Sequence, residues 1–302
     1  MDFLSTSLST LLNKLEPFPQ KLQIQVLKSS DLDYENMALP PPTTINSTDI
    51  FDSYDTNVKG DGAFVSEVLP WSSYTIEAWY CSGLDKHLVK APVFHVLLTP
   101  EIIKVLQEEG VSCSDERLGG IISKLDEHCN SKIEVFVRTS MCSTKIGTTP
   151  KPCTSGKTVI KSILDCQRCI QSLSCPSVQH NIWLFPWNEE CDLTREFRVF
   201  IQNQRIVAIG PYYCSLELDY LTSPVANSIG LAILKFWEEE ISPLVPNIDN
   251  AVMDVLKLDG EPCKLIEFNP RESSGGGLFN YLEDRRIMEG RQNATVMRII
   301  RG

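Results

Sequence analysis

The chain has 302 residues, of which 42% are apolar and 22% are charged, an ordinary balance for one large globular domain or two lobes. Its formal net charge of -11 argues against a dedicated nucleic-acid-binding protein, which usually carries a basic face. No stretch is long and apolar enough to span a bilayer, and the first residues lack the features of a signal peptide. The 11 scattered cysteines are expected to stay reduced, so we expect a cytoplasmic protein that has no membrane partner.

The first half of the chain shows only scattered structural signals. The stretch Ala38–Asn57 is rich in Pro, Ser, Thr and Asp, which is typical of a loop or linker. Tyr74–Tyr80 and Pro92–Leu98 have the composition of strands. A helix is expected from Pro100 onwards, with Thr99 as its N-cap.

From residue 133 the pattern becomes regular. Two helices are predicted, at 155–173 and 226–241. Six strands are predicted, at 133–138, 181–185, 196–201, 205–210, 251–258 and 263–268. The last four form two hairpins, which favour an α+β fold with antiparallel sheets over a doubly wound sheet. We divide the chain into a variable N-terminal segment and linker, an N-terminal or central lobe and a C-terminal lobe, at 1–60, 61–150 and 151–302.

Three oxygen-bearing side chains share one face of the last predicted hairpin. A four-residue loop places Asp254 opposite Glu267, whereas a two-residue turn places it opposite Leu265. Positions 265 and 267 share a strand face, so either register brings Asp254, Glu267 and Asn269 together. Two neighbouring carboxylates repel each other, and a cation removes that penalty. Oxygen ligands without Cys or His favour Mg²⁺; the alternative is a solvated polar face, which the apolar neighbours make weaker.

Basic residues precede this hairpin on other predicted strands. Arg138 ends the strand at 133–138, and Lys145 follows in a loop. Arg198 shares a strand face with Glu196. Arginine can bind phosphate oxygens with two hydrogen bonds, whereas lysine acts as a point charge. Each could be an ordinary surface cation, but Arg198 is the strongest candidate because its strand is otherwise half-buried.

The run DVLKLDGEPCKLIEFNPRESSGG resembles the metal-binding end of ATP-grasp proteins. Their signature is an acidic residue on one strand and Glu-x-Asn-x-Arg on its neighbour. The resemblance implies a two-lobed ATP-grasp fold whose antiparallel sheets grip ATP. It implies that Glu267 and Asn269 bridge Mg²⁺ to the phosphates, and that Asp254 holds the same metal ion or a second one. It also places Arg271 where it would stabilise an anionic intermediate or the leaving phosphate.

The order of segments from about residue 133 to residue 284 is similar to the cell division cycle protein 123 family, a divergent ATP-grasp branch. The run WNEECDLTREFRVFIQNQRIVAIGPYY carries much of this likeness. The resemblance implies that Trp183, Leu184 and Phe185 flank the adenine base. The family's usual lysine is replaced by Arg138, and the first 130 residues show little that matches.

Three functions remain open at this stage. The favoured one is an ATP-dependent ligase that activates an unidentified carboxylate as an acyl phosphate, with Arg271 and Arg198 as catalytic groups. In such a reaction the protein mainly positions groups and neutralises charge, which agrees with the lack of an obvious nucleophile. The alternative, implied by the family resemblance, is an ATP-binding chaperone for assembly of translation initiation factor 2. A third possibility is a degraded site in a structural module.

Four other features of the sequence give weaker signals. Thr154–Thr158 imitates the end of a phosphate-binding loop but lacks its first glycine, so it predicts a helix start. Cys166 and Cys169 have a Cys-x-x-Cys spacing without a second pair nearby, and Cys142 is expected to be a passive thiol. The loop Ser273–Gly277 could be a plain flexible loop or could present backbone N–H groups to phosphate.

Overall fold

A computed structural model gives the structure of the protein over residues 21–28, 73–129, 132–144, 151–176, 178–189, 191–214, 217–271, 274–281 and 283–301. The predicted linker Ala38–Asn57 and the predicted phosphate-binding Lys145 lie outside these residues. Ser273, at the start of the glycine-rich loop, also lies outside them. No helix in the described ranges is long and apolar enough to cross a membrane.

Strands and short helices alternate along the described chain. In chain order, the strands are β1 (Lys21–Lys28), β2 (Phe94–Leu97), β3 (Val135–Thr139), β4 (Asn181–Pro186), β5 (Glu196–Gln202), β6 (Arg205–Pro211), β7 (Ala251–Leu256), β8 (Lys264–Asn269) and β9 (Ala294–Arg301). The helices are α1 (Ile76–Trp79), α2 (Pro100–Leu106), α3 (Gly119–Asp126), α4 (Gly156–Leu164), α5 (Gln167–Ser172), α6 (Ser223–Lys235) and α7 (Arg285–Met288). A π-helical segment, Phe236–Ile241, continues α6.

The larger sheet contains six of these strands in the order β1-β9-β6-β5-β7-β8. Neighbours from β6 to β8 are antiparallel, whereas β9 runs parallel to both β1 and β6. One face of the sheet packs against α6 through residues such as Val199, Met253 and Ile233, all of which are buried. The helix approaches closely at Gly230, where a Cβ atom would lie 2.6 Å from a methyl group of Leu22.

The smaller sheet has the order β2-β4-β3, and both pairs are antiparallel. One face carries Val137, Ile182 and Leu184 into a core shared with the helices between β2 and β4. Side chains alternate between the faces of a strand, so Arg138 and Trp183 lie on the opposite face. Trp183 packs into the core of the larger sheet, so this second face is turned towards that sheet.

The predicted α+β class with antiparallel sheets is confirmed. The strands predicted after residue 90 are present, with ends shifted by one or two residues. The turn between β5 and β6 is formed by Asn203 and Gln204, which both have positive φ angles of 50° and 59°. That geometry fits the right-handed twist of a tight hairpin.

The prediction of a strand at Tyr74–Tyr80 was wrong, because residues Ile76–Trp79 form α1. Ile76 and Trp79 lie three residues apart, share one side of the helical turn and are buried in the larger core. The predicted helix at 155–173 is split into α4 and α5 at Cys166, whose backbone is extended. The predicted helix at 226–241 begins earlier, at Ser223, and its final turns are π-helical.

The sequence TSGKT begins α4, as predicted. Ser155 and Thr158 form a capping box. A Cβ atom on Gly156 would lie 2.3 Å from the carbonyl oxygen of Ile122, so the glycine permits close packing of α4 on α3. Its backbone N–H also donates to Asp126 at 2.6 Å, which gives this glycine a structural explanation.

The division into lobes remains a prediction. Strand β1 falls within the predicted segment 1–60 and joins the edge of the larger sheet. The smaller sheet combines β2 and β3, from the predicted 61–150 lobe, with β4, from the predicted 151–302 lobe.

Candidate functional site

A cleft with a cavity of about 330 Å³ lies between the two sheets. The smaller sheet contributes Phe136, Arg138 and Phe185 to its wall, and the larger sheet contributes Glu196 and Ile266. The volume falls within the range of pockets that hold small molecules and cofactors. The wall is apolar at the aromatic residues and charged at Arg138 and Glu196, so it suits a ligand with an apolar ring and an anionic part.

A polar row crosses three neighbouring strands beside this cleft. Arg198 on β5 lies opposite Asp254 on β7, and Asp254 lies opposite Glu267 on β8. Directly opposed residues in antiparallel strands point to the same face, so the three side chains form one row. Asn269 follows Glu267 by two positions and therefore shares this face. The structure thus brings the three predicted metal ligands together and places Arg198 beside them.

The pairing of β7 with β8 includes a bulge that the sequence did not predict. Asp254 pairs with Glu267, but the next residue, Val255, pairs with Leu265, so the strand is irregular at Ile266. The prediction that Leu265 and Glu267 share a face was therefore wrong. The Leu265 side chain packs in the core with Val255, and both Leu265 and Ile266 border the cleft. The predicted pair of Asp254 and Glu267 is nevertheless present.

Arg198 holds Asp254 with two hydrogen bonds. Its Nε donates to Oδ1 at 3.0 Å and its Nη2 to Oδ2 at 3.1 Å. The Asp254 side chain has no solvent exposure, and that of Arg198 is 9% exposed. Arg198 also donates to the carbonyl oxygen of Gly275 at 3.3 Å and lies over the ring of Tyr212. The arginine therefore neutralises a fully buried carboxylate and fastens the glycine-rich loop to the sheet.

A second ion pair joins the two sheets across the cleft. Arg138 on β3 contacts the carboxylate of Glu267 on β8, and the side chains are 6% and 8% exposed. The Nε of Arg138 is buried and has no hydrogen-bond partner among the described residues. A buried donor without a partner costs free energy, so this atom points to a missing acceptor on the cleft side.

The charges of the row are balanced without any metal ion. The sequence argument assigned a metal to offset the repulsion between Asp254 and Glu267, but two arginines already do so in this structure. Repulsion alone is therefore no evidence for a metal. The Asn269 amide provides separate evidence. Its Nδ2 donates to Asp254 at 3.3 Å, while its carbonyl oxygen accepts no hydrogen bond from the described residues.

The donor set fits Mg²⁺ bound together with an anionic ligand. Within the described part of the chain, no three His, Cys, Asp or Glu side chains are arranged to hold a metal by themselves. Magnesium usually takes only one or two carboxylates from a protein and completes its shell with phosphate oxygens and water. Asp254, Glu267 and the amide oxygen of Asn269 match that donor set, whereas a closed site made only of protein ligands does not form here.

The segment predicted to flank an adenine base divides between two faces of β4. Phe185 lines the cleft. Trp183 is on the same face, donates from Nε1 to Glu77 at 2.7 Å and stacks on His95 with ring centroids 4.4 Å apart. Leu184 points to the other side and is fully buried in the core of the smaller sheet. That these three residues flank the base and present backbone groups to it stays a prediction, in which the side chain of Leu184 takes no part because neighbouring side chains on a strand alternate.

Arg271 lies beside the polar row and has its own partners. It follows Asn269 by two positions, and its Nη1 donates to the side-chain oxygen of Gln202. Its guanidinium lies 5.6 Å from the ring centroid of Tyr281, and the Tyr281 hydroxyl donates to the Arg271 carbonyl oxygen at 3.0 Å. These contacts hold Arg271 at the end of β8, next to the proposed metal ligands.

A short segment before β2 was missed by the sequence analysis. The N–H of Val89 donates to the carbonyl oxygen of Leu265 at 3.1 Å, and the N–H of Leu265 donates to the carbonyl oxygen of His87 at 2.7 Å. These bonds attach the segment to the edge of β8, so Leu88, Val89 and Lys90 also line the cleft. No local pattern marks this contact, because it joins parts of the chain that are distant in sequence.

Comparisons with known proteins agree with this architecture. Residues 159–302 match the model of the D123 family. The structure of Cdc123 from Schizosaccharomyces pombe is similar, with a TM-score of 0.54 and 17% identity, over 77% of this chain and 97% of that chain. A C-terminally truncated Cdc123 from the same organism gives the same values. At this identity the likeness shows that the fold is similar to that of Cdc123, in agreement with the resemblance seen in the sequence.

A more distant similarity links the chain to the ATP-grasp ligase PsnB, complexed with minimal precursor, Mg and ADP. The TM-score is 0.27, with 11% identity, over 71% of this chain and 54% of that chain. That score is too low to support an argument. Among curated proteins, none matches the chain significantly.

Proposed function

We propose that this protein binds ATP together with Mg²⁺ in the cleft between its two sheets. The observation that carries the proposal is Arg138, whose guanidinium is buried in the cleft wall and whose Nε lacks an acceptor among the described residues. Acidic and amide oxygens of the polar row lie on the facing sheet. An anionic ligand with a bound cation satisfies both sides at once.

The cleft and the polar row beside it both have roles in this proposal. Glu267 and Asn269 would hold Mg²⁺, and Asp254 would support them or bind a second ion. The apolar wall at Phe136 and Phe185 would contact the base. Arg138 and Arg198 would contact phosphate oxygens, which guanidinium groups bind well. Lys145 remains a predicted phosphate contact, and Glu196 remains a predicted ligand contact.

The two ion pairs would change on ligand binding. In this structure, Arg138 and Arg198 neutralise Glu267 and Asp254. A divalent cation at the carboxylates would take over that neutralisation, and the guanidinium groups could then bind phosphate. The exchange keeps every buried charge paired, which avoids the large cost of an uncompensated charge.

The chemistry that we propose is activation of a carboxylate. ATP would supply the phosphoryl group, and Mg²⁺ would offset negative charge on the phosphates. The protein would position the reactants and stabilise the anionic product of transfer. Arg271 is placed for this role, since it lies just beyond Asn269 and is held by Gln202 and Tyr281. Arg198 would act with it from the β5 end of the row.

The match to the D123 family favours a second candidate. In this alternative, nucleotide binding supports contact with a protein partner, namely subunits of translation initiation factor 2, as the family resemblance implies. The nucleotide site is the same in both candidates. They differ in whether Arg271 takes part in turnover.

Thermal unfolding with and without Mg-ATP tests the shared site. At a ligand concentration 100 times the dissociation constant, binding adds about 2.7 kcal/mol of stability. For a chain of this size we expect a rise in Tm of roughly 5 °C or more. The rise should disappear in Glu267→Gln and persist in Asp259→Asn, where the carboxylate is 76% exposed and does not line the cleft. An unshifted wild type would refute the proposal.

The variant Arg271→Ala separates the two candidates. A ligase should keep its Mg-ATP thermal shift but lose ADP release stimulated by carboxylate donors such as amino acids and short peptides. An assembly factor should retain partner binding in a pull-down with initiation factor 2 subunits. Arg291→Ala is the matched control, because Arg291 is 63% exposed and pairs only with Glu289 among the described residues.

A further inference from the structure

Three thiols lie close together between the end of β3, which carries Arg138, and helix α5. Cys142 follows β3, Cys166 precedes α5, and Cys169 lies within α5. All three are at most 2% exposed. The sulfur atoms of Cys142 and Cys169 are 3.6 Å apart. The Cys-x-x-Cys pair, which had no partner in the sequence, therefore gains a third thiol through the fold.

These thiols belong to the hydrophobic core of the smaller sheet, and a few polar groups also contact them. The thiol of Cys169 donates to the carbonyl oxygen of Ser143 at 3.7 Å, and the hydroxyl of Ser172 lies 3.7 Å from the sulfur of Cys142. Thr139 approaches the same sulfur with its hydroxyl at 3.5 Å. The described residues do not complete a metal site at this position.

We propose that Cys142 and Cys169 form a reversible disulfide bond when the protein meets a peroxide. The two sulfur atoms are already in contact, and a bond length of about 2.05 Å requires an approach of only about 1.5 Å.

The reaction balances in two steps. The Cys142 thiolate attacks one oxygen of hydrogen peroxide, the O–O bond breaks, and hydroxide leaves as the sulfur becomes a sulfenic acid. The Cys169 sulfur then attacks the sulfenic sulfur, an S–S bond forms, and the sulfenic oxygen leaves as water with the thiol proton. The peroxide is reduced, and the two cysteine sulfurs are oxidised by two electrons in total.

The electrostatics agree with this order of attack. The hydrogen bond between the two thiols lowers the pKa of Cys142 and raises the pKa of Cys169. The thiolate is the nucleophilic form of cysteine, so Cys142 is the attacking group and Cys169 the resolving group. By contrast, burial raises the pKa of Cys263 to about 11, which makes that thiol a suitable unreactive comparison.

The disulfide bond would restrain a segment that forms part of the wall of the proposed nucleotide cleft. Ser143 is adjacent to Cys142, lines the cleft and forms a β-bridge with Arg138. A bond from Cys142 to α5 would tie this loop to the helix. We expect the oxidised protein to unfold at a Tm several degrees higher than the reduced protein, since a disulfide restricts the unfolded chain.

Peptide mapping tests the proposal directly. The wild-type protein is treated with hydrogen peroxide, its remaining thiols are alkylated under denaturing conditions, and a non-reducing tryptic digest is analysed by mass spectrometry. Trypsin cuts after Arg168, which separates Cys166 from Cys169. We expect a peptide starting at Thr139 linked through Cys142 to the peptide starting at Cys169. A reductant should remove this linkage.

Variants show which thiols are required. The linkage and the rise in Tm should be absent from Cys142→Ser and Cys169→Ser, and both should persist in Cys166→Ser and Cys263→Ser. A bond from Cys166 to Cys169, or fully alkylated Cys142 and Cys169 after peroxide treatment, would overturn the proposal. The wild-type map decides even if a variant fails to fold. The peroxide treatment is carried out without nucleotide, so the result of the peptide map is independent of the proposed ATP site.

Discussion

The loss in the free energy of unfolding when one carboxylate of the polar row is removed tests whether that row is buried. Asp254 has no solvent exposure and receives two hydrogen bonds from Arg198, at 3.0 and 3.1 Å. Asp254→Asn keeps the side-chain shape but leaves the buried guanidinium without its counter-charge. Removing one partner of a buried ion pair typically costs about 3–5 kcal/mol. We expect a loss of this size in the free energy of unfolding measured with urea.

The chain contains a closely matched control. Asp259 receives two hydrogen bonds from Arg195, at 2.8 and 2.7 Å, but its side chain is 76% exposed. Exposed ion pairs contribute about 0–1 kcal/mol, so Asp259→Asn should have a small effect. Equal losses in the two variants would refute the burial argument. A double-mutant cycle with Arg198→Met adds a second check. The double variant should lose less stability than the sum of the two single losses, because the two residues contact each other.

Two further predictions concern packing and pH. Gly230→Ala should destabilise the protein by about 1–3 kcal/mol because its new methyl group would lie 2.6 Å from Leu22, whereas Gly120→Ala, with nothing within 4 Å, should cost nothing. Equal urea midpoints for these variants would contradict the close packing of α6. Burial lowers the pKa of His180 below its ordinary 6.5, so the unfolded state binds this proton more tightly than the folded state. The stability due to neutral His180 is therefore fully present above pH 6.5 and is lost at lower pH, by at most about 1.4 kcal/mol per pH unit. His180→Gln should lose less stability between pH 7.5 and 5 in urea unfolding, and an unchanged pH dependence would show that His180 is not the titrating group.

The parts of the site that lie close together in the sequence were predictable. Asp254, Glu267 and Asn269 lie on two consecutive strands, so alternation and one turn were enough to place them on one face. The bulge at Ile266 was not predictable, because one extra residue in a strand leaves no mark in the polar pattern. It moved Leu265 to the opposite face without disturbing the carboxylate pair.

Contacts between distant segments could not be read from the sequence. Arg198 and Asp254 are 56 positions apart, and their pairing depends on β5 lying beside β7. The ion pair of Arg138 with Glu267 further requires two sheets to face each other. The sequence predicted that these arginines contact phosphate, but their present partners follow only from the tertiary structure.

Local composition predicts the wrong secondary structure at α1. Its aromatic and β-branched residues are typical of strands, but this stretch forms one helical turn fixed by outside contacts. The N–H of Ile76 donates to the carbonyl of Ser140, and the Glu77 carboxylate accepts hydrogen bonds from Asn181 and Trp183. Such a short helix owes its conformation to these tertiary contacts rather than to its own propensity.

The most direct test of the account is to locate a metal ion in crystals grown with ATP and Mn²⁺ in place of Mg²⁺. The anomalous scattering of manganese identifies the ion without reference to the rest of the density. We predict a peak bound by Glu267 and Asn269, with nucleotide phosphates beside it and in contact with Arg138. Nucleotide density without a peak at these residues, or a peak at another place in the protein, would contradict the account.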